Sequence, residues 1–255
     1  MARRLGLPSG RARAAWGLLV AVLLAPAALA AQPAPDATAA DTATAAAPEA
    51  APSPPADPAA ARLARLVDAY RGVRTITASF SQQTRFAGFP RPRTYLGRVE
   101  LERPDRMRWS YHAGSAQQVY VNGRTVIVYV PEAKQAVEST LTPASDQQVP
   151  LHLLADVTHI DETYNVAAGP DPDELVLTPK APDPAAPETV NLWLDPDTGL
   201  IARVHLSLPG GSRSDLRFSN VQTNGEIPAD RFTFVAPPGT HRVNADALMP
   251  SGGTR

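Results

Sequence analysis

The sequence predicts a mainly β protein: one antiparallel sheet, strongly curved or nearly closed, accompanied by short helices. Three observations support this. About a dozen short strand-like segments follow one another at close spacing, each bounded by turn residues, which favours one antiparallel sheet over any βαβ arrangement. Asn122-Gly123 lies between two apolar runs, and because both residues tolerate positive φ the pair is the strongest local hairpin signal in the chain. After Gly72 the apolar period changes from three-to-four residues to two.

In chain order, Arg3, Arg4, Arg11 and Arg13 form a basic region, Leu18 to Leu29 is apolar, and Ala28-Leu29-Ala30 has a small-x-small cleavage pattern. The apolar run is about a dozen residues, short of the roughly 20 needed to span a bilayer, so residues 1–30 read as a cleaved signal peptide that sends the chain to the periplasm. The chain has no cysteine, so this segment lacks the residue that would carry a lipid anchor, and a soluble exported protein is expected. Residues 31–61 are mostly Ala and Pro, with too few large apolar groups to offset the entropy of ordering, and read as a disordered tether. The folded domain is expected over 62–245 and a flexible tail over 246–255.

Within that domain, Leu63, Leu66, Val67 and Tyr70 recur at helical spacing from Arg62 to Arg71. Ile76, Ala78 and Phe80 then alternate with polar residues as a half-buried strand. Further strands are expected at Tyr95–Glu102, Met107–His112, Gln118–Val121, Thr125–Val130 and Gln135–Thr140. A second group follows at Tyr164–Ala167, Glu174–Pro179, Thr189–Asp195, Leu200–Leu208, Asp215–Gln222 and Arg231–Val235. Between the two groups, Pro143 to Val157 places Val149, Leu151, Leu153 and Leu154 in a loop of helical character broken by Pro150. It is either a plain connecting helix or a lid over the mouth of the curved sheet; long insertions in compact domains tend to be functional, which favours the lid.

A net charge of -1 gives no nucleic-acid footprint, and no nucleic-acid partner is expected. His112, His152, His159, His205 and His241 never fall at i and i+4 and have no cysteine to join them, so no metal site is expected. The Asp195-to-Gly199 stretch DPDTG lacks the later ligands of a calcium loop and reads as a turn between strands. No nucleophile elbow, P-loop or dinucleotide fingerprint appears, and no pair of carboxylates stands out as acid and base. The chain is therefore read as a non-enzyme without a cofactor; a hydrolase built on scattered His and Asp residues is the weaker hypothesis.

The stretch VELERPDRMRWSYH, Val99 to His112, sets Arg103, Arg106 and Arg108 around an alternating apolar face of Val99, Leu101, Met107, Trp109 and Tyr111. With ASFSQQT (78–84), LERPDRMRW (101–109), VNGRTVIVYVPEAKQ (121–135), LVLTPKA (175–181) and DRFTFVAPPGTHRV (230–243), the chain resembles the periplasmic outer-membrane lipoprotein carriers, the LolA family. These pieces run in family order over roughly residues 62 to 245.

The resemblance implies an incomplete, half-open antiparallel β-barrel whose apolar concave side is capped by short helices. It also implies an activity: accepting triacylated lipoproteins from the ATP-driven release complex of the inner membrane and delivering them to an outer-membrane receptor of the same fold. That receptor carries a lipobox cysteine, so the absence of cysteine favours carrier over receptor. A monomer is expected. The alternative on the same fold is a periplasmic carrier or sensor of another lipid or amphiphile.

Residue by residue, the resemblance makes Arg103 the arginine of an Arg-Pro pair that holds the lid shut, with backbone carbonyls of Pro143 to Val157 as its expected partners. Met107 takes the position of a cavity-lining apolar residue, and Trp109 that of a strand tryptophan that either packs the core or meets ligand. Val99, Leu101, Val128, Leu192, Leu194, Val204, Leu206 and Phe218 are candidate wall residues by alternation. Phe86 and Phe89 lie on a loop with two prolines, Pro90 and Pro92, placed either to dock a membrane partner or to cover the cavity.

Overall fold

The computed structural model describes residues 57–141, 156–181 and 186–245, so the expectations for the signal peptide, the tether up to residue 56, the tail and Val149, Leu151, Leu153 and Leu154 lie outside the described residues. Pro58–Arg255 clusters as one compact unit. Its helix α1 (Pro58–Tyr70) is followed by β1 (Thr75–Arg85), β2 (Arg93–Glu102), β3 (Arg106–Ala113), β4 (Gln118–Asn122), β5 (Thr125–Val130) and β6 (Gln135–Thr140). Then come a single helical turn α2 (Ile160–Thr163), β7 (Tyr164–Ala168), β8 (Glu174–Pro179), β9 (Thr189–Leu194), β10 (Ile201–Ser207), β11 (Arg213–Thr223) and β12 (His241–Asn244).

All twelve strands belong to one sheet in the order β12-β6-β5-β4-β3-β2-β1-β11-β10-β9-β8-β7. Every pairing is antiparallel except β12 with β6. The ladder does not join β12 to β7, so the curved sheet is an unclosed barrel, as the resemblance implied. Because β1 bonds both β2 and β11 along its length, its polar second half, Ser81 to Arg85, stays in strand although its own pattern fades. The β4–β5 hairpin turns at Gly123-Arg124, one residue on from the expected Asn-Gly pair: Asn122 ends β4 opposite Thr125, and Gly123 supplies the positive φ, 58°.

Period two sorts the residues into two faces. The inner face carries the main core, in which Val99, Leu101, Met107 and Trp109 from β2 and β3 join Leu192, Leu194, Val204 and Leu206 from β9 and β10. Leu66 and Tyr70 bring α1 onto that core. The helix begins at Pro58 rather than Arg62, because proline's fixed φ and missing N–H suit a first helical turn. Residues 58–61, read from composition as tether, are thus its opening turn.

One expected strand is absent. Arg231–Val235 alternates like a strand, but Pro228 precedes it and Pro237 and Pro238 follow, and proline cannot donate to a ladder. Residues Ala229–Phe232 form a 3-10 turn instead, and the segment crosses the outer face of the sheet. Phe232 is buried beneath the Arg106 guanidinium (5.7 Å), and Phe234 packs on the rings of Tyr120 and Tyr129 at 5.4 and 5.1 Å. Arg231 grips the buried Glu100 carboxylate with two hydrogen bonds, 3.2 and 2.7 Å. Beyond the prolines, β12 adds in parallel to β6.

Candidate functional site: an apolar face clamped under a helix

The arginines of Val99 to His112 separate by face. Arg106 and Arg108 point to the outer side, where Arg106 pairs with Glu102 at 2.8 Å and Arg108 bonds Gln118 and lies 5.2 Å over the Tyr120 ring. Arg103, in the β2–β3 turn, does something different. Its Nη1 donates to the carbonyls of Tyr70 (2.7 Å) and Val73 (3.3 Å), and its backbone N–H donates to the Arg74 carbonyl at 2.8 Å. A cation bonding the last carbonyls of a helix satisfies acceptors that α1 cannot, and complements the negative end of its dipole.

The expected partners of Arg103 were carbonyls of Pro143 to Val157. Of that segment the described part is Asp156 and Val157, and the Asp156 carboxylate stands 4.0 Å from the Arg103 guanidinium. Val157 beside it is fully buried in the main core.

Asp156 is held in turn. Thr158 donates to it through its backbone N–H (2.9 Å) and its hydroxyl, and His159 Nδ1 lies 3.0 Å from the other carboxylate oxygen. Partial burial opposes its ionisation, but the Thr158 and His159 bonds outweigh that and hold its pKa below the usual carboxylate range. The same contact, with the charges of Asp156, Glu162 and Asp161, raises the pKa of the exposed His159.

The other side of α1 is also fastened. Arg62 Nη1 donates to the carbonyls of Glu174 (2.6 Å) and Gly169 (3.1 Å), and Arg65 reaches Asp173 at 2.8 Å and the Asp195 carbonyl at 3.3 Å. Neither arginine carries a motif or a periodic signal; what marks them in hindsight is their position on the polar side of an amphipathic helix. The helix therefore straddles the barrel opening, fixed to the β7–β8 and β9–β10 turns at one end and to the β2–β3 turn at the other.

Beneath α1 the face is almost wholly apolar. Trp109 is 3% exposed, stacked at 4.5 Å against Phe80 and edge-on to Phe218 at 6.1 Å. Tyr70 points its hydroxyl into this interior; burial pushes its pKa up to about 12, against the pull of the Ile201 backbone N–H and the Arg103 charge. Met107 lies between Leu101 and Val121 across the ladder. Val128 and Phe218 border the core half-buried.

Tyr70, Ile76, Val99, Leu101, Leu200 and Phe218 are among the residues lining a crevice of about 20 Å³ under the helix. That is room for about one water, and the surrounding walls are hydrocarbon and aromatic. At this crevice the face is filled by its own side chains. Among the described residues no cluster of His, Asp or Glu could hold a metal ion, and no helix is long and apolar enough to cross a membrane.

An unclosed sheet with one apolar face, covered by a helix that polar contacts fasten at each end, defines a half-barrel with a capped apolar interior. The comparisons with known proteins give that class a family. Residues 71–235 match the family model "Outer membrane lipoprotein carrier protein LolA". Outer-membrane lipoprotein carrier proteins of Chromohalobacter salexigens and Pseudomonas aeruginosa are each 30% identical to the chain. The first match covers 76% of this chain and 88% of the relative, the second 71% and 86%. Among solved structures the chain is similar to a LolA superfamily protein from Nitrosomonas europaea, with 15% identity, a TM-score of 0.40 and coverage of 69% of this chain and 97% of that one. The chain belongs to the LolA family of outer membrane lipoprotein carriers.

Proposed function

We propose that this protein is a non-enzymatic periplasmic carrier that shelters the acyl chains of lipoproteins between the inner and the outer membrane. In this reading it accepts triacylated lipoproteins from an inner-membrane, ATP-driven release complex and hands them to an outer-membrane receptor of the same fold. The pattern at residues 1–30 supplies the route of export. It works as a monomer, and the wall residues Val99, Leu101, Met107, Trp109, Val128, Leu192, Leu194, Val204, Leu206 and Phe218 meet the chains. Val149, Leu151, Leu153 and Leu154 belong to the lid, and Arg103 favours the closed, unloaded state.

The observation that carries the reading is the continuous apolar inner face under a helix that packs on it through Leu66 and Tyr70 and is fastened at each end by polar contacts. Burying an acyl chain is worth about 0.8 kcal/mol per CH₂, so three chains of about fifteen methylenes expose on the order of 36 kcal/mol in water. Cargo on that scale needs a shelter, and handing it on requires that the shelter hold it loosely. A face already filled by its own Met, Leu and aromatic side chains meets both needs. Closing after release restores its own packing, which offsets part of what the cargo loses.

The test is extraction. The protein is incubated with vesicles carrying a fluorescent triacylated lipoprotein and the soluble fraction is sized. A soluble one-to-one complex is the expected result. Cargo that stays in the vesicles, while the protein still binds free fatty chains, would leave a carrier of another amphiphile.

A further inference from the structure

At the end of the sheet away from Arg103 lies a feature that shielding acyl chains does not use. The β1–β2 connection, Phe86 to Pro92, turns back on itself with Phe89 N–H bonded to the Phe86 carbonyl at 3.1 Å. Its two phenyl rings meet edge-on at 6.4 Å. The Ala87 N–H donates to Ser212 Oγ at 3.1 Å, which ties the loop to the neighbouring β10–β11 turn. Phe89 is 61% exposed on this tied loop.

Around it the charge is of one sign. Arg85, Arg91, Arg93 and Arg213 are all exposed, and residues 81–98 and 207–214 contain no acidic residue. Arg85 faces Arg213 directly across the β1–β11 ladder, and Arg93 sits beside them opposite Thr84. Like charges directly opposite each other on a sheet are destabilising. Among the described residues none of these four arginines forms an ion pair, although the chain as a whole is close to neutral. Arg93 also lies 6.0 Å from the Phe86 ring.

We infer that this loop is a docking tip for an anionic lipid surface, the phenyl rings of Phe86 and Phe89 entering the interface while Arg85, Arg91, Arg93 and Arg213 meet lipid phosphates. An exposed Phe89 backed by a half-buried Phe86 and ringed by cations without ion pairs suits a surface that is apolar beneath and anionic above, since both components add to binding. A flat anionic bilayer also explains why the arginines fan out over three strands and the β1–β2 loop rather than lining a groove. β1 spans its length at roughly 3.3 Å per residue, which sets the tip about 33 Å from the Arg103 end. The protein can thus stand on a membrane with its helix clamp free. This goes beyond carriage of a cargo, and vesicle binding reads it whether or not the cargo is a lipoprotein.

The experiment is co-sedimentation of the purified protein with vesicles of phosphatidylcholine alone and of an equimolar phosphatidylcholine–phosphatidylglycerol mixture. Wild type is compared with Phe89→Ser and with the double variant Arg91→Glu/Arg93→Glu. The N-terminal residues are the same in every sample, so differences report the loop, and unchanged thermal unfolding confirms that each variant is folded. Wild type should bind the anionic vesicles and leave the neutral ones. The charge reversal should weaken that binding by at least about a hundredfold and added salt should weaken it in wild type, with Phe89→Ser costing about tenfold. Equal binding by all three proteins would overturn the inference, as would wild type failing to bind anionic vesicles. Cross-linking from position 89 to an acidic protein without any vesicle binding would replace the lipid surface with a protein partner.

Discussion

Arg103 sits where one side chain can decide whether a helix stays down. From a single guanidinium nitrogen it bonds the last carbonyl of α1, that of Tyr70, and the Val73 carbonyl just beyond the helix, and it stands near an Asp156 carboxylate that Thr158 and His159 hold ionised. A hydrogen bond from a charged donor contributes about 1.5–3 kcal/mol when well placed, and partial exposure reduces that. Arg103→Leu should therefore lower unfolding free energy by about 1–2 kcal/mol in urea. In the extraction assay the variant should accept cargo yet hand it on more slowly than wild type, because the empty closed state has lost its bonds; a wild-type hand-over rate would remove this role. The neighbouring pair adds a pH dependence whose sign follows from its two shifts. Asp156, lowered, contributes above the ordinary carboxylate value, and that contribution is lost as pH falls through its depressed pKa. His159, raised, contributes below the ordinary imidazole value, and that is lost as pH rises through its elevated pKa. The contact is complete only between the two. Followed by NMR, the His159 ring should titrate at lower pH in Asp156→Asn than in wild type, and an unmoved midpoint would show that the pair does not act.

At the level of elements, the strands are held as much from outside as from within. The segment after Pro228 closes the outer face through Arg231 on Glu100 and Phe234 on Tyr120 and Tyr129. Because Glu100 is buried, Arg231→Ala leaves its carboxylate unpaired and should cost about 2–4 kcal/mol, read as a lower urea midpoint with an unchanged slope. On the inner face Gly97 lies under Phe80, where an added methyl would overlap both that ring and the Ser110 carbonyl. Gly97→Ala should cost about 1–3 kcal/mol by displacing Phe80 from Trp109, visible as a changed tryptophan emission; native-like emission and stability would count against this packing. The same contrast explains what the sequence could and could not reveal. Alternation is local, so the inner face was readable: Val99, Leu101, Met107 and Trp109 do share one cluster with Leu192, Leu194, Val204 and Leu206. The ends of β5, β6 and β8 agree with expectation because turn residues bound them. The C-terminal stretch misled because Phe232 and Phe234 alternate for an aromatic layer and not for a ladder. In β12, HRVN has no pattern of its own; its place depends on an open β6 edge brought near by the fold. The arginine clamps were equally hidden, since Arg62 and Arg65 find their acceptors on turns more than a hundred residues away in the chain.

Over the whole domain, the sheet and α1 form two parts joined by an apolar contact and by polar fastenings at either end of the helix. An apolar contact is non-directional and a guest chain can replace it, whereas the fastenings are directional and a guest cannot. On the proposed function, opening for cargo would mean releasing arginine–carbonyl bonds while hydrocarbon is exchanged for hydrocarbon. The two ends should then act as a pair: with one released, the other still holds the helix over the face. Arg62→Ala alone and Arg103→Leu alone should each raise binding of a fluorescent fatty-acid probe only modestly. Arg62→Ala/Arg103→Leu should raise it by more than the product of the single effects because, of these polar fastenings, Arg65 alone then remains on α1. Far-UV circular dichroism should stay strand-rich in all three, since the ladder from β12 to β7 does not run through the helix. Singles whose effects simply multiply in the double variant would mean that the ends act independently and that α1 does not move as one body. No gain in any variant would mean that the guest enters by displacing something other than this helix.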